Sequence, residues 1–519
     1  MKLQQLRTIP DVVEFYGDEQ YDITQIVTHS AQAGPEALFV AIPGSTADGH
    51  AFLQDAYQAG TRAFVTQHPF CRPGVANLVV RDTRKALAHL AARLYGYPSA
   101  RVGLIGITGT NGKTTTAFLT ESILHAAGTP TGLISTVVYR FGTEQREADR
   151  TTPDPVRLQS LLREMADAGS RYIVMEVSSH GLHQHRVDGC AFDVAVFTNL
   201  TPEHLDYHGT MEEYFHCKER FFTEVLPASS KPHTTAIINC DDPYGAPLIE
   251  RVKGRCITYG STHGDVYATR AALSLDGIHA DIITPRGTVS IRSPLVGRFN
   301  LYNILAACAI ATACTIPLEA IRQGIAQLCG VPGRMERVEN DAGIAVFVDY
   351  AHTGDALAQV LETLKQAGAE RIITVFGCGG DRDRQKRPVM GAVAARYSTC
   401  VILTSDNPRR EDPHAIISEI EPGVQQQGYT KINAEALSTD RTGFYAIVPD
   451  RRSAITAAIR AARAGDVVLI AGKGHETYQE VHGMRTHFDD REVAREAFAQ
   501  CSGGCFYNSR RERRGTTGF

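Results

Sequence analysis

The chain has 519 residues, of which 43 % are hydrophobic and 21 % charged, with a formal net charge of −4. That length is too great for one core, so about two to four domains are expected. The charge balance leaves no basic footprint for nucleic acid, and no apolar run approaches the ~20 residues of a membrane span.

The opening MKLQQLRTIPDVVEF lacks the apolar stretch of a secretion signal, so a cytoplasmic location is expected. Residues 1 to about 100 read as a small α/β domain. A strand is predicted over 37–42, stopped by Pro43-Gly44, followed by a helix over 52–59 and a strand over 63–66. Val79-Val80 continues the sheet, a helix spans 83–95, and Pro98 marks the boundary. Ser30 and the Ser45-Thr46 turn offer hydroxyls to a polar ligand, as loop hydroxyls on any surface do.

Residues 101–128 read RVGLIGITGTNGKTTTAFLTESILHAAG. The pattern predicts a buried strand over 102–107, a glycine-rich turn over 108–112, and a helix that stops at Gly128. This is a phosphate cradle. Gly109 and Gly112 let the backbone turn tightly and present N–H groups around Thr110 and Asn111 to an anion. The helix start at Lys113, Thr114 and Thr115 adds its dipole. Lys113 reaches terminal phosphates, and Thr114 offers a hydroxyl to Mg²⁺. The strict G-x-x-x-x-G-K-[ST] motif needs glycine at 107, where this chain has Ile107. Its glycines stand at Gly106, Gly109 and Gly112.

Strands and helices then alternate over 101–333. A buried strand over 172–175 ends in Glu176, another over 194–197 ends in Thr198-Asn199, and a third over 236–238 ends in Asn239. Polar residues at the carboxyl ends of parallel strands gather in the ligand crevice, which places Glu176 and the loop after Asn199 near Lys113. A helix is expected over 211–225, a short antiparallel insertion over 265–297, and an alanine-rich helix over 303–312. A third unit, 334–500, has strands over 345–348, 372–376, 401–404 and 467–470, each ending in a polar or glycine-rich loop. The expected fold is therefore α/β in three domains: a small N-terminal one, a central P-loop ATPase-like parallel sheet, and a Rossmann-like C-terminal one. The twelve cysteines are scattered without C-x-x-C pairs, which suits reduced thiols. The tail, 501–519, is expected to be disordered.

Nine motifs then fall in order: TGTNGKTTT, EVSSHGL (176–182), NLTPEHLDYHGTMEEYFHCK (199–218), GRFNLYN (297–303), PGRME (332–336), DYAHT (349–353), GCGGDRDRQKRP (377–388), DNPR (406–409) and AGKGHE (471–476). Together they resemble the Mur ligases over nearly the whole chain. More narrowly they resemble the members that extend the peptide of UDP-N-acetylmuramoyl-L-alanyl-D-glutamate. The resemblance implies an ATP-dependent amide ligase. It would add meso-2,6-diaminopimelate to that acceptor through an acyl phosphate, in peptidoglycan precursor synthesis, as a cytoplasmic monomer using Mg²⁺. Rival readings are the same ligase adding L-lysine, a folylpolyglutamate or cyanophycin-type synthetase, and a nucleotide-binding regulator without catalysis.

Residue chemistry makes Lys113 the fixed charge for the γ-phosphate, with Thr114 and Glu176 as hard oxygen ligands for Mg²⁺. The resemblance adds His204 as a ligand of a second metal, and implies that Lys218 is carbamylated so that an anion rather than an ammonium faces the metals. From the residues alone, Lys218 reads as an ordinary lysine on a helix. By the same resemblance Asn303, Arg334, Asp349 and His352 surround the adenosine and phosphates, although Asn303 also reads as a helix cap. The UDP end is assigned to Ser30 and the Ser45-Thr46-Ala47 turn, and the muramoyl-peptide to Thr151, Thr152, Ser178, Gln184 and Arg186. For the incoming amino acid, the distal carboxylate separates diaminopimelate from lysine. Arg409 in Asp406-Asn407-Pro408-Arg409 offers a planar fork for it, Arg382 adds a second cation, and Glu476 with the Gly472 carbonyl accepts from an ammonium. Two departures stand out: Ala31 follows Ser30 where the family carries Arg, and Gly354 follows DYAHT, where it is expected to loosen a turn.

Overall fold

The computed structural model describes residues 1–18, 20–44, 47–437 and 442–505, the last five through their backbone. Among these residues three sheets and one hairpin organise the chain. The first sheet holds β1 (Val12–Tyr16), β2 (Gln25–Val27), β3 (Ala37–Val40), β4 (Ala63–Thr66) and β5 (Ala76–Val80), in the order β1-β5-β4-β3-β2. β2 to β5 run parallel and β1 closes the edge antiparallel.

The central sheet has eleven strands. In chain order they are β6 (Gly103–Thr108), β7 (Thr131–Ile134), β8 (Val138–Phe141), β9 (Glu144–Glu147), β10 (Tyr172–Glu176), β11 (Val194–Phe197), β12 (Thr235–Asn239), β13 (Arg255–Gly260), β14 (Val266–Ser274), β15 (Gly277–Thr284) and β16 (Gly287–Ser293). The spatial order is β16-β15-β14-β13-β12-β11-β6-β10-β7-β8-β9. β6 lies between β10 and β11, parallel to both. After β10 the chain passes to the other side of β6, so the order reverses where the phosphate cradle leaves the sheet. Strands β10, β11 and β12 are buried along almost their whole length, as apolar runs covered on both faces require.

The third sheet holds β17 (Glu336–Val338), β18 (Ala345–Asp349), β19 (Ile372–Phe376), β20 (Cys400–Leu403), β21 (Thr430–Lys431), β22 (Phe444–Ile447) and β23 (Val467–Ala471), in the order β17-β18-β23-β19-β20-β22-β21. All are parallel except β17. A hairpin follows, β24 (Tyr478–Val481) with β25 (Met484–His487). The chain divides into two compact units. The first is Met1–Thr269, Asp281–Ser290 and Tyr302–Gln327, and the second is Arg270–Ala280, Ile291–Leu301 and Leu328–Phe519.

The stretch 265–297 holds three consecutive strands that join the edge of the central sheet, β14 pairing parallel with β13. Three expectations need correction. The helix expected over 211–225 is α-helical only over Met211–Arg220 and then widens to a π turn, Phe221–Val225. That turn sets Phe221, Phe222 and Val225 into the core. Gly354 loosens nothing. It is the first residue of the helix Gly354–Gln366, capped by the Thr353 hydroxyl, and a Cβ there would stand 2.8 Å from a Val389 methyl. The last helix, Asp490–Cys505, carries order to the start of the expected tail; 506–519 lie outside the described residues.

Candidate active site

The cradle forms as its residues dictate. β6 ends at Thr108, four residues turn, and the helix Lys113–Ala126 begins. Gly109 has φ 149° and a Cβ there would fall 1.8 Å from the Thr198 hydroxyl; Gly112 has φ 87° and its Cβ would fall 2.3 Å from Asn303 Oδ1. Both positions therefore exclude any side chain. Gly106 is different. Its missing Cβ makes room for Phe221 and Phe192, 2.5 and 2.6 Å away, so this glycine serves packing. The loop is held from β11: Asn111 N donates to Asn199 Oδ1 (2.9 Å), Asn199 Nδ2 donates to the Asn111 carbonyl (3.1 Å), and the Thr198 hydroxyl donates to the same carbonyl (2.6 Å). Thr114 and Thr115 sit buried in the first helical turn, and the Thr116 hydroxyl donates to Asn303 Oδ1 at 3.4 Å.

Two lysines converge on one carbonyl. Lys113 Nζ donates to the Gly109 and Thr110 carbonyls (2.9 and 2.7 Å), and Lys218 Nζ donates to the Gly109 carbonyl at 2.9 Å. Lys218 is 1 % exposed and lies 4.6 Å over the Tyr214 ring. Burial pushes its pKa well below that of an ordinary lysine, and the Lys113 charge pushes it further. Among the described residues no carboxylate pairs with it. Tyr214, four residues earlier on the same helix face, shares a 3.1 Å hydrogen bond with the Thr110 hydroxyl and packs on His204 and His208. His204 is left-handed (φ 57°), caps the short helix Leu205–His208 through its backbone, and lies edge-on to His180. Sequence reading missed Tyr214; its spacing from Lys218 was the available signal.

Glu176 ends β10 fully buried, its Oε1 taking the Thr136 N–H (2.8 Å) and its Oε2 the Thr136 hydroxyl (3.0 Å). The Thr136 hydroxyl itself lies 3.1 Å from the Thr151 hydroxyl. Thr152 donates to the Glu176 carbonyl (2.9 Å), Ser178 N donates to the Thr152 hydroxyl (2.9 Å), and Arg186 donates to the Thr152 carbonyl (2.6 Å) and to Gln184 Oε1 (2.8 Å). Thr151, Thr152, Ser178, Gln184 and Arg186 thus form one connected wall. Beyond it opens a cavity of about 510 Å³, lined among others by Ser30, Ala47, Arg84, Arg150, Gln184 and Arg186. Ser45 and Thr46 lie outside the described residues.

In the second unit the carboxyl ends of β18, β19, β20 and β23 carry the predicted loops. Asp349 is buried and accepts from Met335 N (2.7 Å) and Ala351 N (2.8 Å); burial raises its pKa, and Arg334 opposes that rise. The Arg334 guanidinium sits 5.1 Å over the Tyr350 ring, and His352 Nδ1 lies 2.9 Å from the Tyr350 carbonyl. Asn407 joins two loops: its Nδ2 donates to Glu476 Oε2 (2.7 Å) and its Oδ1 accepts from Glu480 N (3.0 Å). Lys473, fully buried, reaches Asn407 Oδ1 (3.2 Å) and Glu476 Oε2 (3.3 Å), a role that sequence reading did not assign. Gly472 has φ 115°, and a Cβ there would meet Asp406 Oδ2 at 2.3 Å. Arg409 follows the buried Pro408 and donates through Nη1 to the Gly380 carbonyl (2.7 Å). Exposed Arg382 is its neighbour across Gly379. Behind them the buried pair Arg451–Asp490 (2.7 Å) ties the Ala471 carbonyl down at 3.0 Å.

Comparison with known proteins agrees with this layout. Residues 107–311 match the Mur ligase middle domain, residues 333–474 the glutamate ligase domain of the Mur ligases, and residues 22–95 the Mur ligase family catalytic domain. The chain belongs to the Mur ligase family. It is an enzyme of the ligase class. A Geobacter metallireducens protein named UDP-N-acetylmuramoyl-L-alanyl-D-glutamate–2,6-diaminopimelate ligase is 49 % identical over 507 residues, 97 % of this chain and 99 % of that one. A Geobacter sulfurreducens protein of the same name is 47 % identical, over 97 % of this chain and all of its own length. A solved structure under that ligase name superposes with a TM-score of 0.70 at 31 % identity, covering 97 % of this chain and 99 % of that one.

Proposed function

We propose that this chain joins meso-2,6-diaminopimelate to UDP-N-acetylmuramoyl-L-alanyl-D-glutamate, with ATP cleaved to drive the bond. The peptide carboxylate attacks the γ-phosphorus of ATP and ADP leaves. The amine of diaminopimelate then attacks the acyl phosphate, loses a proton, and expels inorganic phosphate. The observation that carries this reading is the pair of lysines on the Gly109 carbonyl at the head of the cradle.

That geometry supports the following roles. The N–H groups of 109–115 cradle the phosphates, and Lys113 neutralises the transferring group. Thr114, Glu176 and His204 would hold Mg²⁺, with an oxygen-rich donor set that suits it. The Glu176 carboxylate is already aimed by Thr136. Bound there, Mg²⁺ supplies charge neutralisation on the phosphate oxygens. The Lys218 amine, whose charged form burial disfavours, adds its lone pair to CO₂ when deprotonated and sheds a proton, giving a carbamate whose two oxygens suit the metals as an ammonium does not. Asn303 on the first unit, and Arg334, Asp349 and His352 on the second, are assigned to the nucleotide.

The domains divide the work: 1–100 for the UDP-sugar, 101–333 for ATP and the ligase chemistry, and 334–500 for the amino acid. The cavity lined by Ser30, Ala47, Gln184 and Arg186 supports the first assignment, and its arginines 84 and 150 supply the charge that Ala31 does not. Thr151, Thr152 and Ser178 orient the muramoyl-peptide. Arg409 takes the distal carboxylate of diaminopimelate, with Arg382 beside it, and Asp406, Asn407, Pro408, Gly472 and Glu476 shape the seat for its ammonium. L-lysine has no such carboxylate. We further assign a cytoplasmic monomer; no helix among the described residues is long and apolar enough to cross a membrane. The test is phosphate release with the sugar-peptide acceptor and a panel of diaminopimelate, lysine and ornithine. Release must require both acceptor and diaminopimelate. Equal ATP cleavage without acceptor overturns the ligase reading, and equal use of lysine overturns the amino-acid assignment.

A further inference from the structure

We propose that Cys240, Asp241 and His263 form a zinc site separate from the nucleotide's metals. The loop after β12 and the turn after β13 bring one thiol, one carboxylate and one imidazole together, with the three ligating atoms all within 4.8 Å of one another. The carboxylate is already oriented. Asp241 Oδ2 accepts from Ser261 N (2.7 Å), the Ser261 hydroxyl (2.7 Å) and the Tyr302 hydroxyl (2.6 Å). Those donors saturate one oxygen. The other, Oδ1, is buried with no hydrogen-bond partner among the described residues and lies 3.3 Å from His263 Nδ1. A buried carboxylate oxygen left without a donor is costly unless something positive meets it.

The space beside it is kept clear. A Cβ on Gly260 would stand 2.6 Å from Asp241 Oδ1, 2.7 Å from the His263 carbonyl and 3.0 Å from Cys240 Sγ, so only glycine leaves that volume to the donors. Cys240 Sγ now donates to the Tyr259 carbonyl at 3.2 Å. On metal binding the thiol gives its proton to solvent and the thiolate takes the metal. A thiolate, an imidazole and a carboxylate select Zn²⁺, whereas Mg²⁺ prefers oxygen donors and retains water. The site also has a mechanical reach. Flanking it, Asn239 Nδ2 donates to the Thr198 carbonyl (2.8 Å) and Asp242 accepts from Leu200 N (3.1 Å). Zinc here pins the loop that holds Asn199 against the phosphate cradle.

The experiment uses the full chain, reduced and stripped with chelator, titrated with Co²⁺ as a visible probe. One Co²⁺ per chain should bind with a thiolate-to-cobalt charge-transfer band, displaced by Zn²⁺ and untouched by excess Mg²⁺. Because other cysteines, such as Cys71 and Cys329, are exposed, the variants decide. Cys240→Ser should abolish the band. His263→Ala, at an exposed position that folding tolerates, should weaken binding. Ser261→Ala, which releases the carboxylate, should weaken it by about 10–100-fold. Absence of a thiolate band, a band that persists in Cys240→Ser, or unchanged affinity in His263→Ala overturns the proposal.

Discussion

Replacing Lys218 with methionine separates a catalytic lysine from a structural one. The methionine keeps the unbranched stem against Tyr214 and deletes the amine. What the fold loses is one hydrogen bond to the Gly109 carbonyl, and that carbonyl keeps Lys113. Such a bond contributes about 1 kcal/mol net. Against it stands relief of a buried amine that no carboxylate neutralises among the described residues, which is of similar size and opposite sign. Stability in denaturant should therefore match the parent within about 1 kcal/mol or exceed it. Activity should behave oppositely. On the proposed reading the variant lacks the carbamate anion at the phosphoryl-transfer site, and kcat should fall by at least about 10³-fold. Depleting bicarbonate should slow the parent, and short carboxylates should partly restore Lys218→Ala. The assay is phosphate release with acceptor and diaminopimelate, run beside denaturant unfolding. A variant that keeps a tenth of the parent's kcat, or that loses both stability and activity together, refutes the reasoning.

Arg409→Ala should lower kcat/KM for diaminopimelate by ~10⁴-fold while leaving that for lysine nearly unchanged, because only the former has the carboxylate. Unchanged preference between the two amino acids contradicts the assignment. Arg451→Met leaves fully buried Asp490 without its partner and should cost about 3–5 kcal/mol in the second unit's unfolding, most of it recovered by adding Asp490→Leu. A loss below 1 kcal/mol would show that the pair is not the strut it looks to be. Burial brings His475 down to about 4, and its Nδ1 has no hydrogen-bond partner among the described residues. Below pH 6.5 the unfolded chain then takes up this proton before the folded one does. Stability should fall by at most about 2 kcal/mol from pH 7 to pH 5, and His475→Asn should flatten that slope in unfolding measured at both pH values.

Much of this was legible in the residues. Strands buried on both faces announce themselves as apolar runs, and the polar residues that end them, Glu176, Asn199, Asp349 and Asp406, stand at the carboxyl edge as parallel topology demands. What escaped depends on tertiary partners. Gly106 is a glycine because Phe192 and Phe221 press on it, and nothing local distinguishes it from the two cradle glycines. The π turn at Phe221–Val225 is invisible to a period of 3.6, because three core aromatics and aliphatics decide it. Gly354 reads as a loosened turn until Val389 and the Thr353 cap are seen. Lys473 and Tyr214 carry ordinary local signals and gain their roles from Asn407 and Thr110, residues far along the chain.

The arginines sort into two kinds by the partner each keeps. Arg387, Arg451, Arg491 and Arg220 hold carboxylates: Glu411 and Glu419, Asp490, Asp489, and Asp188. Arg387 joins the helices Lys386–Tyr397 and Pro413–Gln426, Arg451 joins the helices Arg451–Ala461 and Asp490–Cys505, and Arg491 also reaches Glu336 on β17. The cations assigned to ligands are parked otherwise. Arg186 rests on the Thr152 carbonyl and Gln184, Arg409 on the Gly380 carbonyl, and Arg334 on the Tyr350 ring. A ligand carboxylate or phosphate arriving at a paired arginine must first break an ion pair, and in a half-buried setting that subtracts several kcal/mol from binding. A cation held by a neutral carbonyl or ring is positioned nearly as well and keeps its full charge for the newcomer. The distinction explains why Arg387, fully buried in the same glycine-rich motif as Arg382, is not the one to bet on for the amino acid, and why Arg409 is.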